Sequence, residues 1–409
     1  MPPVVQKYGG SSVASPERLR HVARRIARRV DQGDECVVVV SAMGKTTDDL
    51  VALAAEITQH PSEREYDMLL ATGEIVSSAL LAMALREIGH PAIALTGAQA
   101  GVYTDETFGQ ARITAIDTTR VQAELQRDHI VIIAGFQGLS PEAEFTTLGR
   151  GGSDTSAVAL AASLGADRAE IYTDVDGIFT TDPRIEPHAR KLHDIAYEEM
   201  LELASQGAAV MHPRAVELGL LHQIPIMVAS SFDEETSGTL VREQVVMEPT
   251  NRVRGIALDN DVAAITLRAV EDRPGIAAQI FGPLADAGIS VDTIVQNASV
   301  ERSTDLTFTV AHSDWQAARE ITEPVAASLG SGEVIVNHNL AKVSIVGTGM
   351  RSGVGYAATM FRALAEAKVN IQEITTSEIL ITALVDAEQG EMAVQVLHAA
   401  FKLDQPADA

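Results

Sequence analysis

The residues best suited to chemistry lie in segment 147–154, TLGRGGSD, which runs into an alanine-rich stretch of helical composition. A helix start offers free N–H groups and a positive dipole end, and Gly151 and Gly152 let an anion approach that backbone. Arg150 adds a pair of donors suited to a carboxylate or a phosphate. Asp154 repels anions, so we expect it to hold a cation or an ammonium group. The alternative is that the polar residues here only cap the helix.

A lysine near the N-terminus and an isolated acid are further candidates. Lys7 lies near the end of a predicted strand that runs into Gly9 and Gly10, whose amides suit phosphate contact. We expect Lys7 to project into a crevice, although a solvated lysine is the plainer alternative. Glu74 is the only charged residue in the apolar span 68–85, and burying it unpaired would be costly. We expect it to meet Lys7, another cation or a substrate ammonium group; a local ion pair or an exposed helix edge is the alternative.

Segment 170–184 is a predicted strand followed by a turn-rich loop of hydroxyls, acids and one arginine, a composition that suits a nucleotide. The sequence does not match three better-known ligand-binding motifs. Val39 stands where a P-loop needs its first glycine, and Asp154 and Ser352 stand where a dinucleotide fingerprint needs glycine. Ile185 stands where a calcium-binding loop of the EF-hand type needs an acid. We therefore predict no dedicated metal ligands, and no dehydrogenase.

Composition restricts the partners and the compartment. The 31 Lys and Arg residues against 56 Asp and Glu residues give a formal net charge of −25, which repels nucleic acid and anionic membranes. One cysteine, Cys36, excludes an intramolecular disulfide and fits a reducing cytoplasm. The N-terminus lacks the apolar region of a signal peptide, and polar residues interrupt the span 68–85, so we expect a buried helix there. A cytoplasmic protein without nucleic-acid or membrane partners is predicted.

Apolar runs alternate with helical patterns over about the first 245 residues. The predicted strands are 4–8, 36–41, 92–95, 130–134, 168–172 and 226–228. Such alternation predicts a mainly parallel sheet covered on both faces, with ligands at the carboxyl ends of its strands.

The remainder of the chain contains a repeat at a spacing of 80 residues. The matching pairs are Gly275 and Gly355, Phe281 and Phe361, Leu284 and Leu364, Ile289 and Val369, and Ile294 and Ile374. Each copy reads as strand, glycine turn, helix and two further strands, which indicates a small βαββαβ unit used twice.

Taken together, these segments resemble the aspartate kinases. The resemblance is carried by KYGGSS at 7–12, SAMG at 41–44, GE at 73–74, GFQG at 135–138, TLGRGGSD at 147–154, YTDVDG at 172–177 and DPR at 182–184. It implies an α/β amino-acid-kinase (carbamate-kinase-like) three-layer sheet domain over 1–245 and a linker over 246–262. Two α+β ACT domains of the βαββαβ type would follow, over 263–338 and 339–409.

The resemblance also implies a reaction. The γ-phosphoryl group of ATP, accompanied by Mg²⁺, passes to the β-carboxylate of L-aspartate in the first step of lysine, threonine and methionine biosynthesis. The implied catalytic residues are Lys7, which stabilises the transferring group, and Asp154, which orients Lys7 or fixes the substrate. The implied aspartate contacts are Ser41, Thr47, Glu74 (ammonium), Arg150 (α-carboxylate), Gly151, Gly152 and Ser153. The implied ATP contacts are Lys7, Tyr8, Gly9, Gly10, Ser11, Thr173, Asp174, Phe179, Asp182 and Arg184.

Regulation by an amino acid is implied as well. The effector is lysine, threonine or both, and its implied contacts are Asp272, Pro274, Gly275, Ile276, Ala277, Gln296, Asn297, Thr375, Ser377 and Glu378. Paired ACT units imply a homodimer formed through them, or assembly with a separate ACT-only chain. Met247 stands where such a separate chain begins in relatives.

Two departures and two alternatives stay open. Many relatives carry a lysine where this chain has Ala209. We expect Arg184 or Lys45 to take over its phosphate contact. The second repeat also lacks a counterpart of Pro274, the proline that precedes Gly275 in the first repeat. One alternative is a kinase of the glutamate or acetylglutamate type, because Arg150 and Glu74 suit any α-amino acid. The other is a catalytically silent amino-acid sensor, which binds an effector without turning over ATP.

Overall fold

The computed structural model describes residues 2–208, 210–233, 237–243, 252–296, 303–331, 333–350 and 353–405. They form two compact units. The first takes the described residues of Met1–Phe179, Lys191–Ser205 and Ala209–Glu248, and the second takes those of Thr180–Arg190, Gln206–Ala208 and Pro249–Ala409.

An eight-stranded sheet forms the centre of the first unit. Side by side, its strands are β10 (Asp194–Ala196), β12 (Thr239–Arg242), β11 (Ile226–Ser230), β9 (Ala169–Thr173), β1 (Val4–Tyr8), β2 (Cys36–Val40), β6 (Ile130–Ala134) and β3 (Ala92–Leu95). Neighbours from β11 through β3 are parallel, and β12 runs antiparallel to β11. The carboxyl ends of the parallel strands therefore lie at one end of the sheet, where ligands bind in open α/β sheets.

Continuous apolar runs explain this sheet, because parallel strands are buried on both faces. Every residue of β2 (CVVVV) and β6 (IVIIA) is buried. The predicted strands are confirmed, with ends shifted by two residues or fewer. A smaller sheet contains β5 (Ile113–Ile116), β4 (Val102–Thr104), β7 (Gln137–Leu139) and β8 (Phe145–Thr147).

Helices cover both faces of the large sheet. The helices of the first unit, of which α3 packs on β8 of the smaller sheet, are α1 (Pro16–Asp31), α2 (Thr46–Ile57), α3 (Glu63–Leu70), α4 (Thr72–Glu87), α5 (Thr119–Leu125), α6 (Gly152–Leu164), α7 (Tyr197–Ser205) and α8 (Pro213–His222). On one face Tyr8 packs with Leu19 of α1 and Leu81 of α4. Side chains alternate along a strand, so Lys7 points to the opposite face, where it meets α6.

The apolar span 68–85 departs from the prediction of one buried helix. It divides at Ala71 into α3 and α4, and α4 buries Glu74 and its serines while leaving Val76 50%, Leu80 37% and Met83 63% exposed. The stretch Glu63–Glu87 is long and apolar enough to cross a membrane, but half of it is buried, as in a core helix. The prediction holds for one face of α4 only, because an apolar helix with few polar residues does not reveal which face it buries.

The second unit contains one six-stranded sheet. Its elements in chain order are β13 (Gly255–Glu271), α9 (Ile276–Asp286), β14 (Ile294–Gln296), β15 (Ser303–Val310), α10 (Trp315–Ser328), β16 (Val334–Val346), α11 (Tyr356–Glu366), β17 (Glu373–Thr376), β18 (Leu380–Asp386) and α12 (Gly390–Ala400). The strand order is β14-β15-β13-β16-β18-β17, so β14 and β17 are the edge strands. Each repeat has its own apolar core, one around α9 and α10 and one around α11 and α12.

The repeat is visible in the glycine turns and in the helices that follow them. Gly275 and Gly355 both adopt left-handed backbone, with φ of 93° and 104°, and α9 and α11 begin directly after them. The predicted linker over 246–262 overlaps the first strand of the second unit. Residues 244–251 lie outside the described ones, but β13 already begins at Gly255. Its first residues, 255–259, pair with 342–346 of the second repeat.

Candidate active site

The carboxyl end of the central strand β1 brings Lys7 to the start of α6. Lys7 Nζ lies 2.6 Å from Asp154 Oδ1, and each side chain is 11% exposed. The predicted meeting of Lys7 with the 150–154 turn is confirmed. Lys7 is the only partner of this carboxylate oxygen among the described residues. A charge pair so poorly solvated is held firmly, because screening by water is weak.

The glycine turn after β1 passes beside that ammonium group with little room for side chains. A Cβ on Gly9 would touch Lys7 Nζ at 3.5 Å, and one on Gly10 would lie 2.9 Å from the carbonyl oxygen of Ala42. The turn is fixed by backbone hydrogen bonds, from Gly9 N to Tyr172 O at 3.1 Å and from Gly44 N to Gly10 O at 3.0 Å. A larger residue at position 10 would clash with the carbonyl oxygen of Ala42, and one at position 9 would crowd the Lys7 ammonium group, so the sequence pattern has a steric reason.

The turn before α6 requires glycine for two reasons. Gly149 and Gly151 adopt left-handed backbone, with φ of 75° and 66°. A Cβ on Gly151 would lie 2.0 Å from His212 Cβ, which no rearrangement of one side chain relieves. Burial lowers the pKa of His212, and the charges of Arg214 and Arg150 act in the same direction. The ring is therefore biased toward its neutral form, in which it packs against the turn without adding charge.

Sequence reasoning missed the two residues that hold this turn in place. Asp67 of α3 is fully buried and accepts hydrogen bonds from Thr147 N and Thr147 Oγ1, both at 2.7 Å, and from Gly109 N at 2.9 Å. Arg214 of α8 donates to Leu148 O at 2.8 Å and to Ala111 O at 2.6 Å. Their partners are far away in the chain, so no local pattern marked either residue.

Glu74 lies at the start of α4 and is 3% exposed. Its Oε1 accepts a hydrogen bond from Ala42 N at 3.0 Å, while its Oε2 has no partner among the described residues. Burial raises the pKa of this carboxyl group from 4.5 to about 7. The expected ion pair with Lys7 is not formed, because Lys7 is taken by Asp154. Of the predicted partners, a substrate ammonium group is the one that this geometry still offers.

The other predicted aspartate contacts border the same end of the sheet. Ser41 directly follows β2, and its carbonyl oxygen accepts a hydrogen bond from Ser77 Oγ at 2.8 Å. Thr47 is half-buried in the first turn of α2, Ser153 is buried in the first turn of α6, and Arg150 is exposed.

The predicted ATP contacts differ in whether their side chains or only their backbone atoms are accessible to a ligand. Tyr8 is fully buried and stacks on Tyr172 with ring centroids 5.0 Å apart, so only its backbone is available to a ligand. Thr173 Oγ1 donates to Asp174 Oδ1 at 3.1 Å, and Phe179 forms a bridge with Lys191. These residues belong to the first unit.

Asp182 and Arg184 belong to the second unit. Arg184 donates to the Asp182 carboxylate from its backbone N, its Nε and its Nη2, with the shortest contact at 2.6 Å. Arg184 is itself 87% exposed. The pair therefore presents charged groups at the surface of its unit.

The predicted effector contacts fall on two parts of the second unit. Asp272, Pro274, Gly275 and Ala277 are exposed at the start of α9, and Ile276 is buried in the core of the first repeat. Gln296 is exposed on the edge strand β14, and Asn297 lies outside the described residues. Thr375, Ser377 and Glu378 lie on or directly after the opposite edge strand, β17. Within the described chain, no group of three or more acids, histidines or cysteines is placed to hold a metal ion.

Comparison with known proteins identifies the family. Residues 2–230 match the amino acid kinase family, and residues 265–323 and 343–401 each match an ACT domain. An aspartokinase of Geobacillus stearothermophilus is 50% identical over 406 residues, which cover 99% of this chain and 98% of that protein. The chain belongs to the aspartokinases. An aspartokinase of Pseudomonas aeruginosa is 48% identical over 408 residues, 99% of this chain and 98% of its own.

A solved structure extends this assignment to the whole fold. Aspartokinase III of E. coli in complex with aspartate and ADP has a TM-score of 0.80 and 28% identity, over 97% of this chain and 99% of its own. The predicted fold class and family are confirmed. The relatives support a kinase that uses a nucleotide to phosphorylate aspartate under ACT-domain regulation, and they do not favour a glutamate-type kinase or a silent sensor.

Proposed function

We propose that the chain transfers the γ-phosphoryl group of ATP to the β-carboxylate of L-aspartate at the end of the sheet where Lys7, Glu74 and the turn before α6 lie. The product is 4-phospho-L-aspartate. The observation that carries this proposal is the 2.6 Å contact between Lys7 and Asp154, which joins a glycine turn to a helix start. A phosphoryl group reacts in a loose, negatively charged transition state, so catalysis is mainly positioning and charge stabilisation.

Each part of the site has one role in that step. The Lys7 ammonium group stabilises negative charge on the transferring phosphoryl group, and Asp154 holds Lys7 in position. The amides of Gly9, Gly10 and Ser11 contact the phosphates, because a glycine turn leaves its backbone accessible to an anion. Mg²⁺ travels with ATP, whose phosphate oxygens are its natural ligands, and neutralises part of the nucleotide charge.

The acceptor is fixed by its α-amino acid group. Its ammonium group binds the free oxygen of Glu74, and its α-carboxylate binds Arg150. Ser41, Thr47, Gly151, Gly152 and Ser153 line the remainder of the pocket. Thr173, Asp174, Phe179, Asp182 and Arg184 hold the rest of the nucleotide.

Regulation belongs to the second unit. We propose that lysine, threonine or both bind between the α9 turn with Gln296 and Asn297 and the β17 residues Thr375, Ser377 and Glu378. Gln296 on β14 and Thr375 on β17 lie on opposite edge strands of one sheet, so edge-to-edge pairing with a second chain would complete such sites. The partner is a second copy or a separate ACT-only chain, and the compartment is the cytoplasm.

A coupled assay of ADP release with aspartate and with glutamate tests the reaction. We expect turnover with aspartate and at most about a thousandth of it with glutamate, the discrimination of a site that positions the acceptor group. Lys7→Met should lower kcat by about 10²–10³-fold, and Lys368→Met, at an exposed position after α11, is the matched control. Turnover of glutamate but not aspartate, or full activity of Lys7→Met, contradicts the proposal.

A further inference from the structure

The segment Thr180–Arg190, which carries Asp182 and Arg184, is folded as part of the second unit. Its two ends are tied together. Thr180 N donates to Arg190 O at 2.9 Å, and Arg190 N donates to Thr180 Oγ1 at 2.9 Å. The segment is therefore a closed loop with Asp182 and Arg184 near its tip, and what holds its base controls where those charges lie.

Helix α12 of the second repeat holds this loop at two points. Thr180 Oγ1 and His398 Nε2 are 2.9 Å apart, and Gln395 Nε2 donates to Ile185 O at 2.8 Å. Thr180 is fully buried and His398 is 2% exposed. The Ile185 side chain packs against the apolar core of the second repeat.

In the contact with His398, the Thr180 hydroxyl is the donor and His398 Nε2 is the acceptor. Thr180 Oγ1 already accepts the Arg190 N–H, so its own proton is available for His398 Nε2. Burial lowers the pKa of His398, which keeps the ring neutral and its Nε2 able to accept. Loss of this acceptor leaves a buried hydroxyl without its partner, which costs more than the bond itself contributes.

We propose that His398 and Gln395 are positioning residues for nucleotide binding: through Thr180 and Ile185 they fix the loop that presents Asp182 and Arg184 to ATP. The inference rests on the proposed function, in which those two charged residues contact the nucleotide. It gives α12, a helix of the second repeat, a role in holding Asp182 and Arg184.

The test is a steady-state analysis of His398→Leu in the full chain. We expect its KM for ATP to rise about tenfold, equivalent to about 1.4 kcal/mol. The kcat at saturating ATP and the KM for aspartate should stay within about twofold, because the altered loop contacts only the nucleotide. Gln395→Leu should act in the same direction. His222→Leu, at an exposed position in the last turn of α8, is the matched control.

Rescue separates positioning from general damage. His398→Gln places an amide near the position of Nε2, and we expect it to recover most of the wild-type KM for ATP. Thr180→Val should raise that KM by itself, and adding His398→Leu should raise it by less than about twofold more, because both changes remove one contact. Three outcomes would overturn the inference. They are an equal rise in the KM values for ATP and aspartate, a fall in kcat alone, and additive effects in the double variant.

Asp182→Asn and Arg184→Ala distinguish this inference from the proposed function. If they raise the KM for ATP and His398→Leu does not, only the positioning role of α12 fails. If they leave the KM for ATP unchanged, the proposed nucleotide contacts fail, and the inference fails with them.

Discussion

Glu74 has a buried carboxyl oxygen whose negative charge would be compensated by a bound cation. One oxygen accepts the Ala42 amide, while the other is buried without a partner in the described chain. An unpaired buried charge is costly, so the free protein favours the neutral form and the pKa of Glu74 rises to about 7. Substrate binding would reverse this by supplying an ammonium group.

This gives a prediction about pH. An ammonium group binds the ionised carboxylate, so we expect the KM for aspartate to rise as pH falls through about 7. Glu74→Gln should raise that KM by roughly 30-fold, since truncating a buried charge pair costs about 2 kcal/mol or more. The variant should also lose the pH dependence of KM in this range. A wild-type KM that is flat across this range, together with a normal KM in Glu74→Gln, contradicts the assignment.

The same pKa shift affects folding with a defined sign. A carboxyl group whose pKa is raised on folding contributes most to stability below pH 4.5, and that contribution is lost as pH rises to about 7. Glu74→Gln should therefore gain stability relative to the wild type as pH rises through this window. Urea unfolding of both proteins at several pH values measures the difference.

Asp154 gives a second prediction at the residue scale. Asp154→Asn keeps the shape of the side chain but removes the charge that holds Lys7. We expect kcat to fall by roughly 10- to 100-fold, less than for Lys7→Met, since loss of a group that stabilises the transition state directly costs about 10²–10³-fold. The KM for aspartate should change little. A larger fall than in Lys7→Met would assign Asp154 a direct role in the reaction.

At the scale of elements, the turn before α6 depends on α3. Asp67→Ala leaves the buried amide and hydroxyl of Thr147, and the partly buried amide of Gly109, without their acceptor. We expect the free energy of unfolding to fall by about 3 kcal/mol or more, because each unsatisfied buried group costs about 1–3 kcal/mol. Asp167→Ala, at an exposed position after α6, should change it by less than about 0.5 kcal/mol. Denaturant titration of the two variants compares these values, and similar midpoints would contradict the role of Asp67.

Elements that follow from local pattern were predictable, and their long-range supports were not. The apolar runs of β2 and β6 and the glycines before α9 and α11 are visible in the sequence because each depends on neighbouring residues. The bond from Asp67 to Thr147 spans 80 residues and that from Arg214 to Leu148 spans 66. The meeting of Lys7 with Asp154 was expected from the resemblance, because α6 follows β8 of the smaller sheet and no local pattern links it to β1.

At the scale of the whole molecule, the net negative charge of the protein disfavours binding of its anionic substrates. The net charge of −25 repels ATP and aspartate, so binding depends on local cations such as Lys7 and Arg150. The second unit carries Asp182 and Arg184, which are proposed nucleotide contacts, and it also carries the proposed effector contacts. Effector control therefore requires that binding at the repeats favours one arrangement of the chain over another.

The glycine turns of the repeats provide a test of that control. Gly275 adopts φ of 93°, where a side chain is strained by about 1–2 kcal/mol, and it lies among the proposed effector contacts. We expect Gly275→Ala to weaken inhibition by lysine, threonine or both, raising the half-inhibitory concentration about tenfold. Gly288→Ala carries a comparable strain at φ of 73° beyond the end of α9, away from those contacts, and should keep the wild-type response. Equal responses in both variants would show that backbone strain, and not the site, sets the inhibition.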